Sequence, residues 1–599
     1  MGKYLLRLRR KSISRLDKLW RRRWSERSRL VPVAMLIGLA AALAAAALHF
    51  AVHKLEIFAK FLGESSNPYL VAAFVALPVL GLVLSFFSQR LLGGVRYAKS
   101  LSPLILALHR RKTRIPFRET FNHLISSALS VGCGGSAGLE APSVLTGAAI
   151  GANTSGFFNF DRRSRMLLIG CGAAAAISAI FGSPIGGVLF AVEVLLPQFS
   201  VGALVPILIA SAVAMVVSQT FFPQEQVLFV LNENWRSDAI PFYFICGIVC
   251  AFVGVVLIRS VYRVGALLKQ KLTTPYRKLC GGGIILGLIL ALFPILRGQG
   301  YGFIKALFDG KTELLSDSAM FLKGLPPTAL LALLITVVIL LKGMISALTV
   351  DSGGDGGIFA PTMMVGAFTG FAFARLVNLS GIIDLQEPNF VVVGMCGVFS
   401  AVLRAPLTGV FLIAEVTYSY NLLVPLMIVS SLSWAVARHF EPQSIYRKAL
   451  VETGLLSDDS DLSMLQTLSV RVCVNTEFAA LQPTWTTTKM REIVTNAPGC
   501  ENFPVLDEEG KLLGVVKLEQ LKSVLFDPIT ASLLVFDLME KPRTILADDD
   551  DLSRAMNALE RFRTDVLPVN GKDGKFMGFV HEQDIFKLYR GLVRESDSF

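Results

Sequence analysis

Two glycine-rich blocks contain the residues best suited to chemistry in this sequence. The first reads G-G-S-A-G-L-E-A-P at residues 134–142, and the second reads G-G-D-G-G-I-F-A-P at residues 353–361. Each ends in a proline, which fits the first turn of a helix because its missing N–H would have no partner there. A helix that begins after such a block presents free N–H groups and the positive end of its dipole. Together the blocks predict a site in which backbone amides hold an anion.

The first block also contains an acidic side chain, Glu140, beside these amides. A carboxylate can occupy an anion site itself, and it leaves when it is protonated or displaced by a bound anion. Ionisable residues inside a membrane are functional candidates by default, whereas the structural alternative is a carboxylate paired with a nearby base. We predict that Glu140 gates the anion site.

The two blocks belong to an internal repeat of the chain. A further pair of segments, P-I-G-G-V at residues 184–188 and P-L-T-G-V at residues 406–410, recurs at nearly the same displacement as the two blocks. We therefore expect two homologous membrane halves at about residues 31–220 and 238–440. Inverted repeats of this kind place a substrate site where interrupted helices of both halves meet near the membrane midplane.

Each half also carries a glutamate at a matching place, Glu193 in the first and Glu415 in the second. Both follow the repeated P-x-x-G-V segment by a few residues. We predict that they have structural roles and satisfy helix ends or an adjacent basic group.

The composition indicates that lipid surrounds most of the chain. Hydrophobic residues make up 53% and charged residues 17%, with a mean hydropathy of +0.57, whereas soluble domains carry about 25% charged residues. The apolar runs lie at residues 31–52, 70–87, 166–180, 201–217, 242–258, 281–296, 329–341 and 422–436. Several are shorter than the ~20 residues that span a bilayer, which favours broken, tilted or re-entrant helices. We predict an all-α polytopic membrane domain over residues 31–446.

A basic segment precedes this domain. Residues 1–30 contain twelve basic and two acidic side chains, which favours a cytoplasmic N-terminus. The alternative is a patch for nucleic acid or anionic lipid, and we expect no nucleic-acid partner.

The eight cysteines form no C-x-x-C pair and are predicted to pack in apolar regions. The acidic run at residues 548–551 is interpreted as a helix N-terminus and not as a metal site. The sequence therefore predicts neither a metal nor a required cofactor.

The chain changes character after a linker at residues 447–465. A segment with two apolar strands around an acidic or glycine turn, at residues 503–516, recurs at residues 567–580. Each copy is followed by a predicted helix, at residues 518–524 or 583–592. We expect a small α/β domain of two units, at residues 466–526 and 534–593.

The two glycine blocks resemble the paired selectivity motifs of the CLC family of chloride channels and proton/chloride exchangers, which read G-[K/R]-E-G-P and G-x-F-x-P. The resemblance extends over about residues 31–446, and the tail resembles the paired CBS domains that some members carry on the cytoplasmic side. It implies two inverted repeats in a lipid bilayer, and a homodimer in which each subunit has its own chloride pore gated by Glu140. The residues that would bind the anion are Gly138, Leu139, Glu140, Gly357, Ile358, Phe359, Ala360 and Tyr446.

Two of the family's motifs differ here at the anion site. Leu139 stands where the family usually has Arg or Lys, and Ala141 replaces a glycine. The family's G-S-G-I-P serine motif is not matched by L-G-G-V-R-Y at residues 92–97, so Tyr97 or a backbone amide is the expected substitute.

A third departure concerns protons. Exchangers of the family commonly carry a second glutamate where this chain has Val194, and channel members have valine there. Because valine cannot relay a proton, we expect a chloride channel, with a proton-coupled chloride antiporter as the alternative.

Two lesser alternatives are an intramembrane enzyme and a sensor with a vestigial pore. Gly135-Ser136 resembles the serine loop of an intramembrane protease, but no histidine lies in a convincing partner helix. A transporter of an organic substrate would need more polar side chains at its centre.

The remaining expectations concern the soluble tail and the membrane in which the protein lies. CBS pairs often bind adenine nucleotides, but of the residues used for this only Asp584 matches, so we expect a dimerising cytoplasmic platform, with nucleotide binding as the alternative. We expect a bacterial inner membrane with both termini on the cytoplasmic side.

Overall fold

The computed structural model describes residues 26–63, 65, 67–92, 100–196, 201–221, 234–311, 313, 326–456, 465, 468–497, 499–519 and 532–597. The chain forms two compact units, Met1–Thr453 and Gly454–Phe599. Most of the basic segment 1–30 lies outside the described residues.

The first unit consists mainly of helices in both halves of the predicted repeat. The first half contains α1 (Glu26–Gly63), α2 (Pro68–Leu92), α3 (Ser102–His109), α4 (Glu119–Gly132), α5 (Glu140–Phe157), α6 (Arg162–Phe181), α7 (Pro184–Phe190), which a π-helix extends over Ala191–Leu195, and α8 (Val201–Phe221). The second half contains α9 (Ile240–Lys271), α10 (Gly283–Leu292), α11 (Tyr301–Phe308), α12 (Pro327–Asp351), α13 (Phe359–Ser380), α14 (Glu387–Leu403), α15 (Pro406–Thr417), α16 (Leu423–Phe440) and α17 (Lys448–Glu452).

Helix length and burial separate an outer layer from a core. Within the described residues, nine helices are long and apolar enough to cross a membrane, while α14 and α15 are apolar but shorter. In the most apolar 18-residue stretch of Arg162–Phe181, 89% of the residues are buried, whereas the same share is 28% in Pro68–Leu92, which exposes large apolar side chains. Exposed apolar faces of this size fit contact with lipid. The predicted fold class, broken membrane helices followed by a small α/β domain, is confirmed.

Glycines let the core helices of each half approach backbone to backbone. A Cβ on Gly147 of α5 would lie 2.1 Å from the Gly172 carbonyl oxygen of α6, and a Cβ on Gly172 would lie 2.0 Å from the Gly147 oxygen. Gly366 and Gly394 repeat this arrangement between α13 and α14, at 2.5 and 2.4 Å. Small residues are the usual means of close helix packing in membranes. The repeat seen in the sequence is therefore also a repeat of packing.

The two matching glutamates cap helices of the opposite half. Glu415, at the end of α15, accepts hydrogen bonds from the Ser183 hydroxyl and from the amides of Ile185 (3.2 Å) and Gly186 (2.9 Å) at the start of α7. Glu193, after α7, accepts from the amides of Leu407 (3.2 Å) and Thr408 (2.8 Å) at the start of α15. A carboxylate at a helix N-terminus satisfies free amides and the positive end of the dipole. The prediction that these glutamates satisfy helix ends is confirmed.

We expect Glu415→Ala to lower the free energy of unfolding by about 2 kcal/mol, because it leaves a hydroxyl and two amides at the start of α7 without their acceptor. Thermal unfolding of the detergent-solubilised protein measures this loss. Glu415→Gln keeps an acceptor oxygen and serves as the matched control, with a smaller loss. An unchanged midpoint in the alanine variant would show that the cap contributes nothing to stability.

The second unit contains two similar α/β halves. Its first half has α18 (Thr487–Asn496) and the antiparallel pair β1 (Asn502–Leu506) and β2 (Leu512–Lys517). Its second half has α19 (Val535–Leu538), β3 (Leu546–Ala547), α20 (Leu552–Phe562), β4 (Val566–Asn570), β5 (Phe576–His581) and α21 (Glu582–Asp597). A register irregularity recurs at Val505/Leu506 and Val569/Asn570, which are equivalent positions of the sequence repeat. Asp551 caps α20 through the Arg554 amide at 2.8 Å, as predicted for the acidic run. Residues 520–524 of the predicted helix after β2 lie outside the described residues.

Candidate functional site

The two glycine blocks meet at one point. Gly138 and Gly357 form a reciprocal pair of hydrogen bonds, with each amide 2.8 Å from the carbonyl oxygen of the other. The helices that follow begin at Glu140 and Phe359, and their N-cap residues, Leu139 and Ile358, make no side-chain cap. The free amides of both helices are therefore presented toward a common position.

The Glu140 carboxylate lies at this position. It is buried, with 1% of the residue exposed, and Oε1 accepts a hydrogen bond from the Tyr301 hydroxyl at 2.7 Å. Oε2 has no hydrogen-bond partner among the described residues and lies directly over Gly138, where a Cβ would be 1.9 Å away. The backbone amides of Glu140 and Ala360 lie close enough to stabilise its charge. The carboxylate thus stands where an anion would be held.

Tyr301 was not predicted from the sequence. It is the first residue of α11, after Gly300 with φ of +93°, and α11 packs against α13. The stretch G-Q-G-Y-G at residues 298–302 follows an apolar run and is a third glycine-rich break. This break was the available signal, but it carries no acidic residue or repeated motif.

Aromatic side chains fix the start of α13. The Phe359 ring stacks on Phe181 at 5.4 Å between centroids and meets Phe399 edge-on at 4.8 Å. Phe359 and Ala360 are both buried. A rigid start of α13 keeps its amides aimed at the Glu140 carboxylate.

Tyr446 is buried close to the site. Its hydroxyl has no hydrogen-bond partner among the described residues, and it lies within electrostatic range of Glu140. The preceding residue, Ile445, is held from two sides: its amide donates to Val402 (3.1 Å) and its carbonyl accepts from the Tyr262 hydroxyl (2.8 Å). A buried hydroxyl without a partner is costly, and a bound anion would supply its acceptor.

An ion-pair cluster holds the chain just before Tyr446. Glu441 pairs with Lys448 and, at 3.2 Å, with Arg259 of α9. Burial alone would raise the pKa of Glu441, but the hydrogen bonds and charges of Lys448 and Arg259 outweigh it and lower that pKa. The cluster fixes both ends of the segment 441–448 that carries Tyr446.

A second buried cluster anchors the second glycine block. His123 Nδ1 of α4 lies 2.9 Å from Asp355 Oδ2, and its Nε2 lies 3.5 Å from Glu119 Oε2. Ser126 also donates to Asp355. Asp355 precedes Gly357 by two residues, so this cluster positions the loop that pairs with the first block. Sequence reasoning missed the cluster although Asp355 lies inside the quoted motif.

We expect Asp355→Ala to destabilise the protein by about 3 kcal/mol and to reduce anion flux severalfold, because it leaves His123 buried without its main acceptor and frees the second glycine block. Chloride flux in liposomes, together with thermal unfolding, measures both effects. Ser126→Ala removes one hydrogen bond of the same carboxylate and is the matched control, with a small effect. Equal behaviour of Asp355→Ala and the unmodified protein would show that the loop needs no such anchor.

No match to the family's serine motif is found at residues 92–97, where Tyr97 was named as a substitute. Residues 93–97 lie outside the described residues, whereas α3 begins at Ser102 with Pro103 in its first turn. The Ser100 hydroxyl accepts from the Ser102 amide at 3.2 Å. S-L-S-P at residues 100–103 has the serine–proline spacing of G-S-G-I-P, and α3 packs against both the π-helix Ala191–Leu195 and α17.

Val194, at the predicted proton position, and Asp584, at the predicted nucleotide position, lie outside the clusters described above. Val194 lies in the π-helix, and the adjacent Glu193 is engaged as a helix cap. Asp584 lies in the first turn of α21 and interacts with Lys587 at 3.3 Å. No group of His, Cys, Asp or Glu that could hold a metal is found in the described part of the chain.

Comparison with known proteins gives a family match. The family model described as "Voltage gated chloride channel" matches residues 96–438, and the CBS domain model matches residues 535–591. "Chloride channel protein CLC-e" of Arabidopsis thaliana is 28% identical over 346 residues, which are 53% of this chain and 46% of that protein. "H(+)/Cl(-) exchange transporter ClcA" of Vibrio campbellii is 28% identical over 333 residues, which are 54% of this chain and 67% of that protein.

A solved structure supports the fold over nearly the full chain. The crystal structure of a eukaryotic CLC transporter covers 93% of this chain and 98% of its own, with a TM-score of 0.62 and 20% sequence identity. The relatives carry the names of both channels and exchangers, so the match gives the family without the transport mode. Because the family model covers more than half of the chain, and because two glycine-initiated helices meet at Glu140 as the motifs require, the protein belongs to the CLC family of voltage gated chloride channels and carries a CBS domain in its tail.

Proposed function

We propose that the protein passes chloride across a membrane through the site between Gly138 and Gly357, with Glu140 as the gate. The observation that carries this proposal is the buried Glu140 carboxylate between two helix starts without side-chain caps, with Oε2 lacking a partner among the described residues. An ionised carboxylate at this place competes with chloride for the same amides. Protonation removes the charge that holds it there.

The backbone amides bind the anion without a full positive charge. In this proposal the amides of Ile358 and Phe359 and the Tyr446 hydroxyl coordinate chloride, and Ser100 supplies the inner hydroxyl. Sites built from dipoles bind an anion strongly enough to admit it and weakly enough to release it. The buried, uncharged Leu139 fits such a site, because it adds no fixed cation that would retain the anion.

Uncoupled conduction is the first candidate mode. Val194 offers no proton-relaying group, and Glu193 is bound to the start of α15. Coupled proton/chloride exchange is the second candidate, favoured by the similarity to a protein named as an H(+)/Cl(-) exchange transporter. In that mode water would have to carry protons past Val194.

The assembly and location remain part of the proposal. We infer a homodimer in a lipid bilayer, with both termini cytoplasmic and, for a bacterial host, in the inner membrane. The tail would act as a dimerising platform or bind an adenine nucleotide near Asp584. An intramembrane protease is disfavoured because Ser136 is fully buried and its hydroxyl has no hydrogen-bond partner among the described residues.

Reconstitution in liposomes tests the function. Chloride efflux and external pH are followed together, first under a potassium diffusion potential and then under an imposed proton gradient. Chloride efflux without proton movement would support the channel, and uphill chloride transport driven by protons would support the exchanger. The absence of anion flux under both conditions would exclude both modes and favour a sensor with a vestigial pore.

A further inference from the structure

We propose that Tyr301 is a latch that holds the ionised Glu140 carboxylate in the anion site and thereby sets how readily the gate opens. This inference rests on the gating role proposed above for Glu140. The latch is a single hydrogen bond, from the Tyr301 hydroxyl to Glu140 Oε1 at 2.7 Å. Oε2 makes no hydrogen bond within the described residues, so Tyr301 is the side chain that restrains the carboxylate.

The chemistry of this bond makes it selective for the closed state. A hydrogen bond from a neutral hydroxyl to an ionised carboxylate is about twice as strong as one between neutral groups. Protonation of Glu140 therefore weakens the latch at the same moment as it removes the charge. Tyr446 is also ionisable and within electrostatic range of Glu140, but its hydroxyl makes no hydrogen bond to the carboxylate.

The segment before Tyr301 is held in place by a buried lysine. Lys342 of α12 is fully buried, and its Nζ donates to the carbonyl oxygens of Leu296 (2.9 Å) and Gly298 (2.8 Å). The Gly298 amide in turn donates to the carbonyl of Gly134 in the first glycine block, at 3.4 Å. Tyr301 thus follows a segment that is hydrogen-bonded both to α12 and to the first glycine block, which contains Glu140.

A neighbouring arginine adds two further attachments to this segment. Arg297 donates to the carbonyl of Phe74 at 3.2 Å and to that of Leu290 at 3.3 Å, and its guanidinium lies 3.6 Å from the centre of the Phe74 ring. These contacts connect the segment to α2 and α10. Because the segment before Tyr301 is held at several points, the tyrosine has little freedom to follow the Glu140 side chain. The hydrogen bond therefore breaks when the carboxylate moves away.

The experiment is a double-mutant cycle between Tyr301→Phe and Glu140→Gln, read as chloride flux in liposomes over a range of external pH. Tyr301→Phe keeps the ring and its edge-on contact with Phe181, and it removes only the latch. We expect chloride flux at neutral pH to rise about tenfold, and the pH of half-maximal flux to move toward alkaline values by about one unit. In the Glu140→Gln background, Tyr301→Phe should change neither quantity, because no ionised carboxylate is left to restrain.

Two further variants separate the latch from a general packing effect. Tyr243→Phe removes the hydroxyl of another buried tyrosine, which lies in α9 and stacks on Phe390 of α14 at 4.7 Å between ring centroids. This variant should leave the pH dependence unchanged. Lys342→Met should shift the pH dependence in the same direction as Tyr301→Phe, because it releases the segment that carries the latch.

The outcomes distinguish this inference from the proposal beneath it. Two results would overturn the latch and leave the gating role of Glu140 intact. One is an unchanged pH profile in Tyr301→Phe, and the other is an equal effect of Tyr301→Phe with and without Glu140. Flux that Glu140→Gln leaves pH-dependent would overturn the gate, and the latch would fall with it.

Discussion

Glu140→Gln is expected to make chloride flux independent of pH between about pH 4 and 8, at the level that the unmodified protein reaches only in acid. The substituted amide is neutral, so it no longer competes with chloride as an anion for the amides at the starts of α5 and α13. If the protein is an exchanger, the same change should abolish proton coupling and leave passive chloride flux. This is the largest functional effect that the structure predicts, because one carboxylate occupies the site.

Liposome efflux with simultaneous recording of external pH provides the measurement. Glu193→Gln is the matched control, since it makes the same chemical change at a half-buried glutamate that caps α15 and does not touch the anion site. The control should retain the acid activation of the unmodified protein. A Glu140→Gln variant that still activates in acid would place the gate elsewhere in the chain.

Gly138→Ala is expected to open the gate without changing any ionisable group. A Cβ at this position would lie 1.9 Å from Glu140 Oε2, which is the free end of a flexible side chain and the easiest atom there to displace. The second-nearest atom, Glu140 Cδ at 2.9 Å, belongs to the same carboxylate, and the nearest atom of another residue, Ala360 Cβ at 3.1 Å, is tight but tolerable. The methyl group should therefore force the carboxylate out of the site and raise chloride flux at neutral pH at least tenfold.

Gly357→Ala provides the comparison, since the same change is made on the opposite side of the glycine pair. There the added Cβ would meet Ala141 Cβ at 2.9 Å and the Ala141 amide nitrogen at 3.2 Å. These atoms belong to the start of α5 and cannot move without its backbone, so this variant should lose flux and thermal stability. Flux and thermal midpoint of both variants are measured side by side. A Gly138→Ala variant whose chloride flux at neutral pH does not rise would show that the carboxylate does not rest over Gly138.

The glycine blocks could be predicted from the sequence because their chemistry is local. A glycine-rich break followed by a proline fixes where a helix starts, and the repeat at a nearly constant displacement indicates that two such starts belong together. The roles of Glu193 and Glu415 followed from the same symmetry. These two arguments are enough to predict that Gly138 and Gly357 lie together, as they do in the structure.

The partners of the site could not be predicted in this way. Tyr301 reaches Glu140 across 161 residues, and His123 reaches Asp355 across 232 residues, with no repeated motif at the donor. Which side chain from a distant element faces a helix start depends on packing angles, which periodicity does not give. Ser100, which we propose as the inner hydroxyl, was not identified for a different reason: residues 92–97 do not match the serine motif, and the helix start at Ser102 was not known.

The exchange of caps between the halves also determines when the membrane domain can be completed during synthesis. Gly138 leaves the ribosome long before its partner Gly357, and the Ile185 amide at the start of α7 waits 230 residues for Glu415. During translation the first half is therefore inserted with polar groups that only later-made segments can satisfy. We therefore expect such a half-made protein to need shielding until Glu415 has been made, and a nascent chain that stalls before Glu415 to be degraded as incomplete.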